Sequence, residues 1–413
     1  MPSSTPDLTG KLSPTQLLEA HKDDVAPDLP PPENKRFYPA LDGLRAIAVL
    51  MVFYHHYLDH PVILNWGWAG VDVFFVLSGF LITGILYDTR NAAHRFRNFY
   101  VRRTLRIFPL YYAVLLVALL LTPVFHWVWH PVWYLWPIYL GNFGRFIWLH
   151  DYQTNSVVMD HLLSSDRQFD PPLVFFLGHF WSLCVEEQFY LVWPFFVFLI
   201  KDRVKLRNIC VAIFFLVFLA RIACVLYVPK DLIEAGFIER FTPLRVDALL
   251  LGGFVALCLR GQEGERVKGF ALPVMWTCFG AYLAMQVFSF VTVHQPYRME
   301  NWWSGVCIFG YPCIDLFSAG LILRTIEPGT LFFRLLSNSL FRRLGQISYG
   351  FYVFHDIFHV TYQKLVRHVF GANVPHVPLV VAAVALCGTT LLAYLSFRFF
   401  EAPFLRLKER FTV

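Results

Sequence analysis

Long apolar runs separated by short polar or basic segments fill the chain from residue 38 onwards. A helix that crosses a bilayer needs about 20 predominantly apolar residues. Runs of that kind occur at 38–58, 68–88, 108–124, 178–200, 208–228, 242–259, 270–293, 302–323, 346–366 and 378–400. The pattern predicts an all-α polytopic protein of about ten transmembrane helices, integral to a lipid bilayer such as the cytoplasmic or inner membrane.

The apolar run 125–149 does not fit this series. Two prolines and two glycines interrupt it, and a full span there would move the basic segment 201–207 to the outer side. Irregular backbone is tolerated at membrane depth only where protein or a water-filled cavity surrounds it. We therefore predict one re-entrant or interfacial segment in addition to the ten helices.

The distribution of Lys and Arg predicts the orientation of the chain. These residues are concentrated in 89–107, 201–207, 260–269, 324–345 and 401–413, whereas 59–67 has none. Because cytoplasmic segments carry the excess of Lys and Arg, both termini are expected to be cytoplasmic. Residues 1–36 are polar and proline-rich, so we expect a disordered cytoplasmic tail there and a membrane domain over 37–408.

Composition supports this class of protein. Apolar residues make up 57% of the chain and charged residues only 15%, which is unlike an ordinary soluble domain. The formal charge of +6 comes from segments beside the spans, so it indicates membrane topology and not nucleic-acid binding. The eight cysteines lie in or beside apolar runs without a CxxC pair, which is typical of small core residues.

Ionisable residues inside the first apolar run mark it as the centre of a candidate site. Asp42 and Arg45 lie near one end of the run, and His55 and His56 lie near the other. At about 100° per residue, Arg45 and His56 share one helical face about 16 Å apart along the axis, whereas His55 lies about 80° away. Ionisable groups in a bilayer are costly and usually mark a site or a pathway.

Basic and acidic groups interrupt two further stretches. Arg102, Arg103 and Arg106 form a fork of guanidinium groups that suits phosphates, although such clusters also anchor topology or bind anionic lipid. Glu186 and Glu187 need partners or protons in an apolar helix. Arg45 or a histidine of the first run is a candidate partner for Glu186, with a purely structural buried ion pair as the alternative.

Polar residues also follow helical spacing in other runs. Tyr190 lies one turn from Glu186, and Ser348, Tyr352 and His355 share one stripe. Asp72 either caps the start of its helix or belongs to a site, and Ser78 lies at mid-helix. Near the end of the chain, Arg398 and Glu401 have the i, i+3 spacing of a local ion pair.

Two histidine pairs have the spacing of metal ligands. His355 with His359, and His126 with His130, are each separated by four residues. Neither pair has the third ligand and the glutamate of an HExxH site. We therefore predict no metal ion.

Six stretches together resemble the acyltransferase-3 family of integral membrane acyltransferases. They are PALDGLRAIAVLMVFYHH, GVDVFFVLSGFLIT, RRTLRIFPLYY, HFWSLCVEEQFYLVWP, SYGFYVFHD and SFRFFEAPF, and the likeness extends from Phe37 to about Lys408. The family has an arginine and a histidine separated by ten residues in its first helix. Arg45 and His56 match that pair, in agreement with the shared helical face.

The resemblance implies transfer of an acyl group from cytoplasmic acetyl-CoA or another acyl-CoA to a hydroxyl of a carbohydrate or glycoside. Acceptors of this class include cell-surface polysaccharide and lipopolysaccharide. His56 would act as the base that removes the hydroxyl proton or as a transient acyl carrier, and Glu186 would orient His56 or bind the acceptor. The donor phosphates would bind Arg45, Arg102, Arg103 and Arg106, and the supporting residues would be Asp42, Asp72, Ser78, Tyr190, Ser348, Tyr352 and His355.

Two other classes of function compete with this interpretation. A transporter or flippase for a glycan or a lipid-linked intermediate would show buried charges and a broken apolar segment equally well. A structural scaffold would leave the buried arginine, histidine and glutamate without a clear purpose. Two-part members of the family add an extracytoplasmic domain, and the chain resembles the stand-alone members, so any step that needs such a domain is expected to require another protein.

Overall fold

The computed structural model describes residues 38–58, 66–125, 129, 132–144, 146–147, 177–234, 236–293, 306–371 and 377–411. Within these ranges the chain forms helices and turns and no β-strand. The prediction of an all-α protein is therefore confirmed. The predicted tail at 1–36 lies outside the described residues.

Most of the helices follow the predicted apolar runs. They are α1 (Ala40–Leu58), α2 (Ala69–Asp88), α3 (Arg95–Phe125), α4 (Trp181–Leu199), α5 (Arg203–Tyr227), α6 (Lys230–Glu234), α7 (Phe237–Arg240), α8 (Val246–Cys258), α9 (Gly264–Val293), α10 (Val306–Ile326), α11 (Leu331–Leu336), α12 (Ser339–Gln346), α13 (Ser348–Ile357), α14 (His359–Phe370), α15 (Val377–Leu395) and α16 (Ala402–Lys408).

Seven stretches of the described chain are long and apolar enough to cross a membrane. They are Ala69–Asp88, Arg95–Val124, Gly178–Leu199, Arg203–Tyr227, Gly264–Val291, Cys307–Ile326 and Pro378–Phe411. The protein is therefore an integral multi-pass membrane protein, as predicted.

Three other predicted spans have a different form. α1 contains two charged residues and two histidines, and α8 has only 13 residues. A turn at Phe358 divides the run 346–366 between α13 and α14. The count of ten spans and the side of each terminus stay predictions.

The helix that contains the arginine fork begins earlier than predicted. α3 starts at Arg95 and runs without interruption to Phe125, whereas the apolar run alone predicts a start at 108. Residues 95–108 contain neither Gly nor Pro, and Arg and Leu favour helix. Arg102, Arg103 and Arg106 therefore project from a regular helix.

The described part of 125–149 forms short turns. Trp133–Leu135 is a single turn of 3-10 helix, followed by further turns and a short helix at 141–144. Tyr111 of α3 donates a hydrogen bond to the Trp136 carbonyl at 2.7 Å, and Gln188 of α4 donates to the Tyr139 carbonyl at 2.7 Å. Protein side chains thus satisfy irregular backbone, as a re-entrant or interfacial segment requires.

Five helices enclose the core that positions the candidate site. Phe53 of α1, Leu110 of α3, Cys184 of α4, Phe351 of α13 and Ala385 of α15 are buried in one apolar cluster. Since an interior packs closely, rigid helices of this kind hold the side chains between them in fixed positions.

The expected ion pair between Arg398 and Glu401 does not form. Residues Ser396–Glu401 adopt a π-helix, which changes the spacing between neighbouring turns. Glu401 is buried and accepts a hydrogen bond from the Ser396 hydroxyl at 2.9 Å.

Candidate active site

Four histidines and an aspartate gather where α1 ends and α4 begins. We call His56, His179, His355, His359 and Asp356 the histidine cluster. The ring centroid of His355 lies 4.9 Å from that of His56 and 5.1 Å from that of His179. His355 and His179 are buried, and His56 is partly exposed. Helices α1, α13 and α14 and the turn before α4 supply these side chains.

Hydrogen bonds to backbone carbonyls fix one nitrogen of each of three rings. Nδ1 of His56 donates to the Val52 carbonyl at 2.9 Å, and Nδ1 of His355 donates to the Tyr352 carbonyl at 2.6 Å. Nε2 of His179 donates to the Val353 carbonyl at 3.1 Å. A neutral imidazole has one protonated nitrogen and one lone pair. When neutral, His56 and His355 therefore each carry the lone pair on Nε2.

Asp356 joins two of the histidines. Its Oδ2 lies 3.3 Å from Nδ1 of His179, and its Oδ1 lies 3.6 Å from Nδ1 of His359. This carboxylate is therefore the negative partner for positive charge in the cluster. Tyr352 connects the same helices, because its hydroxyl donates to the His179 carbonyl at 2.6 Å.

Cations gather at the opposite end of α1. We call Arg45, Arg102, Arg103, Arg106 and Lys408 the cationic cluster. Lys408 of α16 interacts electrostatically with all four arginines, and Arg106 interacts with Arg45 and Arg103. Arg45 pairs with Asp42 at 2.8 Å. Arg102, Arg106 and Lys408 form no ion pair within 4.0 Å among the described residues, so this end has unneutralised positive charge that suits a polyanion.

Carboxylates of α4 approach the cationic cluster from the side of the histidine cluster. Glu186 and Glu187 lie 3.7 and 3.8 Å from the guanidinium of Arg103. The Tyr190 hydroxyl donates to Glu186 at 3.0 Å and contacts the Ser78 hydroxyl. Arg103 also lies 3.7 Å above the ring of Tyr190. The partner of the two glutamates is thus an arginine of α3, and neither Arg45 nor a histidine of α1 pairs with them directly.

Asp72 pairs with a residue that neither of its two sequence interpretations named. Trp68 occupies the N-cap position of α2, and Asp72 lies in the first turn of that helix. Its carboxylate pairs with Arg245, and both side chains are about 1% exposed. Arg221 and Asp247 form a second buried pair at 2.7 Å. Loss of the anion from either pair would leave a buried, unpaired cation, which costs several kcal/mol of folding free energy. These pairs therefore hold α2, α5 and α8 together.

Several residues of the site were missed in the sequence. His179 and Asp356 lie inside two of the family-like stretches, and Lys408 follows a third. The available signal was an ionisable residue inside or beside an apolar run. Ser348 is buried at the start of α13, and no described contact brings it to either cluster.

Metal-ligand spacing does not bring ligands together here. Among the described residues no group of three or more His, Cys, Asp or Glu side chains has the geometry to hold a metal ion. His126 and His130 lie outside the described residues.

Comparison with known proteins identifies the family. The model of the acyltransferase-3 family, described as an acyltransferase domain, matches residues 38–398. The chain belongs to this family. Both clusters lie within the matched region except for Lys408, so the acyltransferase-3 region supplies nearly all of the site. No solved structure matches the chain.

Three curated relatives cover 90% of this acyltransferase-3 chain. Peptidoglycan O-acetyltransferase OatA of Listeria monocytogenes is 30% identical over 390 residues, which are 56% of its length. Putative peptidoglycan O-acetyltransferase YrhL of Bacillus subtilis is 31% identical over 394 residues, or 55% of its length. O-acetyltransferase OatA of Staphylococcus aureus is 27% identical over 379 residues, or 57% of its length. The chain therefore spans little more than half the length of these relatives.

Proposed function

We propose that this protein is a membrane O-acetyltransferase that moves an acetyl group from acetyl-CoA on the cytoplasmic side to a hydroxyl of a carbohydrate on the other side. Membership of the acyltransferase-3 family supports the reaction class. Two relatives named as peptidoglycan O-acetyltransferases support a glycan acceptor, with peptidoglycan as the first candidate. The observation that carries the proposal is the pair of clusters at opposite ends of α1.

The cationic cluster is the proposed donor site. CoA carries several phosphates at one end and the thioester at the end of a long flexible arm. Arg102, Arg106 and Lys408 form no ion pair within 4.0 Å among the described residues, so their charge is available to phosphates. Basic segments such as 89–107 are expected on the cytoplasmic side, which is where acyl-CoA is found.

The histidine cluster is the proposed reaction site. A sugar hydroxyl is a weak nucleophile, and a base that removes its proton during attack accelerates acyl transfer. Nε2 of His56 has the lone pair for this task, because Nδ1 donates to the Val52 carbonyl. The acceptor oxygen attacks the acetyl carbonyl, the C–O bond forms, and the C–S bond breaks with its electron pair on sulfur. The alternative role for the same nitrogen is to carry the acetyl group transiently.

The side chains between the clusters line the proposed route of the acetyl group. Arg103, Glu186 and Tyr190 contact one another near the cationic cluster. Glu186 follows His179, which lies in the turn before α4, by seven residues, or about 10 Å at the rise of a helix. We assign Glu186 a role in holding Arg103 and Tyr190, and we assign proton acceptance to His56.

Acetyl transfer by single-residue variants tests this function. Membranes with the native chain, His56→Ala or His55→Ala would receive radiolabelled acetyl-CoA and peptidoglycan fragments as acceptor. We expect label in the acceptor with the native chain and with His55→Ala, and a loss of at least a hundredfold with His56→Ala, since general bases contribute about 10²–10⁴-fold. His55 is the matched control because it is the adjacent histidine of the same helix.

Purified protein in detergent separates an enzyme from a carrier. An enzyme labels the acceptor in detergent without any gradient, whereas a transporter or flippase does not. Full activity of a folded His56→Ala protein would remove His56 as the base. Absence of label with the native chain and every glycan acceptor tried would contradict the acetyltransferase function itself.

A further inference from the structure

We propose that the short helices α11 and α12 form a binding surface for the headgroups of anionic phospholipids. We call Leu331, Arg334, Leu335, Leu340 and Arg343 the arginine–leucine face. This face shares no residue with the histidine cluster or the cationic cluster, and the inference does not depend on acetyl transfer. The partner is a phospholipid with a net negative charge, such as phosphatidylglycerol.

The two helices lie between longer apolar segments of the chain. α10, which is long and apolar enough to cross a membrane, ends at Ile326, and α11 begins at Leu331. With six and eight residues, α11 and α12 are about 9 and 12 Å long, which is far too short to cross a bilayer. They therefore belong at a membrane boundary. The basic segment 324–345 is expected on the cytoplasmic side.

Side-chain caps give both short helices a defined start. The Thr330 hydroxyl accepts a hydrogen bond from the Phe333 N–H at 3.0 Å, and the Asn338 side chain accepts one from the Leu340 N–H at 2.9 Å. Caps of this kind satisfy backbone donors that a helix start leaves free. The Thr330 hydroxyl also donates to the Arg324 carbonyl at 2.6 Å, which connects α11 to the end of α10.

The inner sides of both helices pack on the start of α1. Leu336 and Gly345 are buried. A Cβ atom at Gly43 would collide with the backbone of Leu336, and one at Gly345 would collide with the backbone of Asp42. Small residues allow such close approach of helices in membrane proteins. The packing fixes which sides of α11 and α12 face outward.

Exposed leucines and arginines lie together on the outward sides. Leu331, Arg334 and Leu335 share one side of α11, and Leu340 and Arg343 share one side of α12, by their three- and four-residue steps. The three leucines are 53–62% exposed, and both arginines are exposed. At a membrane boundary, leucines enter the region between headgroups and acyl chains, and arginines keep their charge at the level of the phosphates.

The charge of this segment fits an anionic partner. Residues 328–346 contain Arg334, Arg342 and Arg343 and neither Asp nor Glu. None of these arginines forms an ion pair within 4.0 Å among the described residues, and Glu327 already pairs with an arginine of α10 at 2.5 Å. Guanidinium groups bind phosphates well, and basic segments beside a membrane attract anionic lipid. A soluble phosphate would use the arginines alone, whereas a phospholipid also covers the exposed leucines.

Photoreactive lipids test this surface directly. The native chain in neutral bilayers of phosphatidylcholine would receive a trace of phosphatidylglycerol or phosphatidylcholine, each with the same diazirine in its acyl chain. Mass spectrometry of peptides would then locate the adducts. We expect phosphatidylglycerol to label residues 328–346 in excess over phosphatidylcholine, and we expect unlabelled phosphatidylglycerol to compete for this excess.

Two double variants separate this surface from other basic segments. One arginine near an anionic lipid surface contributes about fivefold in affinity. We therefore expect Arg334→Gln/Arg343→Gln to weaken the binding of phosphatidylglycerol, measured by competition, by about 30-fold. Lys201→Gln/Lys205→Gln removes two exposed cations from the segment 201–207 and is expected to keep the native labelling.

Three results would overturn the proposal. Equal labelling of residues 328–346 by both lipids in the native chain would leave contact with acyl chains and no headgroup site. Equal losses in the two double variants would show general attraction to basic segments. Removal of the excess label by acetyl-CoA would assign these arginines to a soluble ligand.

Thermal unfolding supplies a measurement without labelling. A ligand that binds only the folded protein raises its stability. Phosphatidylglycerol added to neutral detergent should therefore raise the unfolding temperature of the native chain and of the lysine variant more than that of the arginine variant. The unfolding temperatures without lipid show whether each variant folds. Equal shifts in all three folded proteins would contradict the proposal.

Discussion

Glu263, in the turn between α8 and α9, provides a prediction for stability against pH. It accepts a hydrogen bond from Arg203 of α5 at 3.2 Å. This hydrogen bond, with the charges of Arg203 and Arg207, lowers the pKa of Glu263 from 4.5 to about 2. Because the folded-state pKa is the lower one, the stabilisation is complete above the unfolded-state pKa and is lost as the pH falls through the folded-state pKa.

Thermal unfolding in detergent checks this expectation. The stability difference between the native chain and Glu263→Gln should be constant above about pH 5 and should shrink between about pH 5 and pH 2. Glu265→Gln is the control, since Glu265 is 87% exposed and its pair with Lys268 lies at the surface, where ion pairs contribute little. An equal pH dependence for both variants would contradict the assigned role of Glu263.

Single residues also show how far local spacing predicts a site. Helical geometry predicts that Arg45 and His56 share a face of α1, and both residues lie in α1 near opposite ends. The partners of Glu186 and Asp72 are Arg103 and Arg245, which lie far away in sequence. Such pairs depend on which helices pack against each other. Local spacing along the sequence does not show which helices these are. His179 and Asp356 were missed for the same reason.

Among the helices, the contact between α2 and α8 depends on glycine. A Cβ atom at Gly79 would collide with the backbone of Leu249, and one at Gly252 would collide with the backbone of Val76. We expect Gly79→Ala to destabilise the protein by about 1–3 kcal/mol, the usual cost of overpacking. The chain has no flexible side chain at that point to move aside, so the two helices would have to separate.

A glycine in open surroundings gives the matched control. A Cβ atom at Gly280 in α9 would meet no neighbour within 4 Å, and Ala favours helix over Gly by up to about 1 kcal/mol. Gly280→Ala is therefore expected to raise the unfolding temperature while Gly79→Ala lowers it. Shifts of the same sign in both variants would show that the α2–α8 contact is not limited by space.

The positions of helices were more predictable than their internal breaks. Apolar length places α1, α2, α4 and α10 within a few residues of their observed bounds. The same criterion cuts α3 short, because it counts arginines as loop although they favour helix. The break at Phe358 and the π-helix near Glu401 follow from packing between helices, which hydropathy along the chain does not measure.

At the scale of the whole molecule, the two clusters predict a separation of kinetic effects. Arg106 belongs to the proposed donor site and His56 to the proposed reaction site. Loss of one charged hydrogen bond to phosphate costs about 1.5–3 kcal/mol, or about 10–100-fold in binding. We therefore expect Arg106→Gln to raise the KM for acetyl-CoA by about that factor, with little change in kcat or in the KM for the acceptor.

Steady-state kinetics with both substrates varied measures this separation. His56→Ala should lower kcat and leave the KM for acetyl-CoA nearly unchanged, because its effect belongs to the transition state. Lys201→Gln is the control for charge alone, since Lys201 is an exposed cation between α4 and α5 outside the cationic cluster. If Arg106→Gln changed the acceptor KM and spared the donor KM, the donor would have to bind elsewhere. If Lys201→Gln raised the donor KM equally, general attraction would explain the effect, and the five-residue cluster would not be a defined binding site.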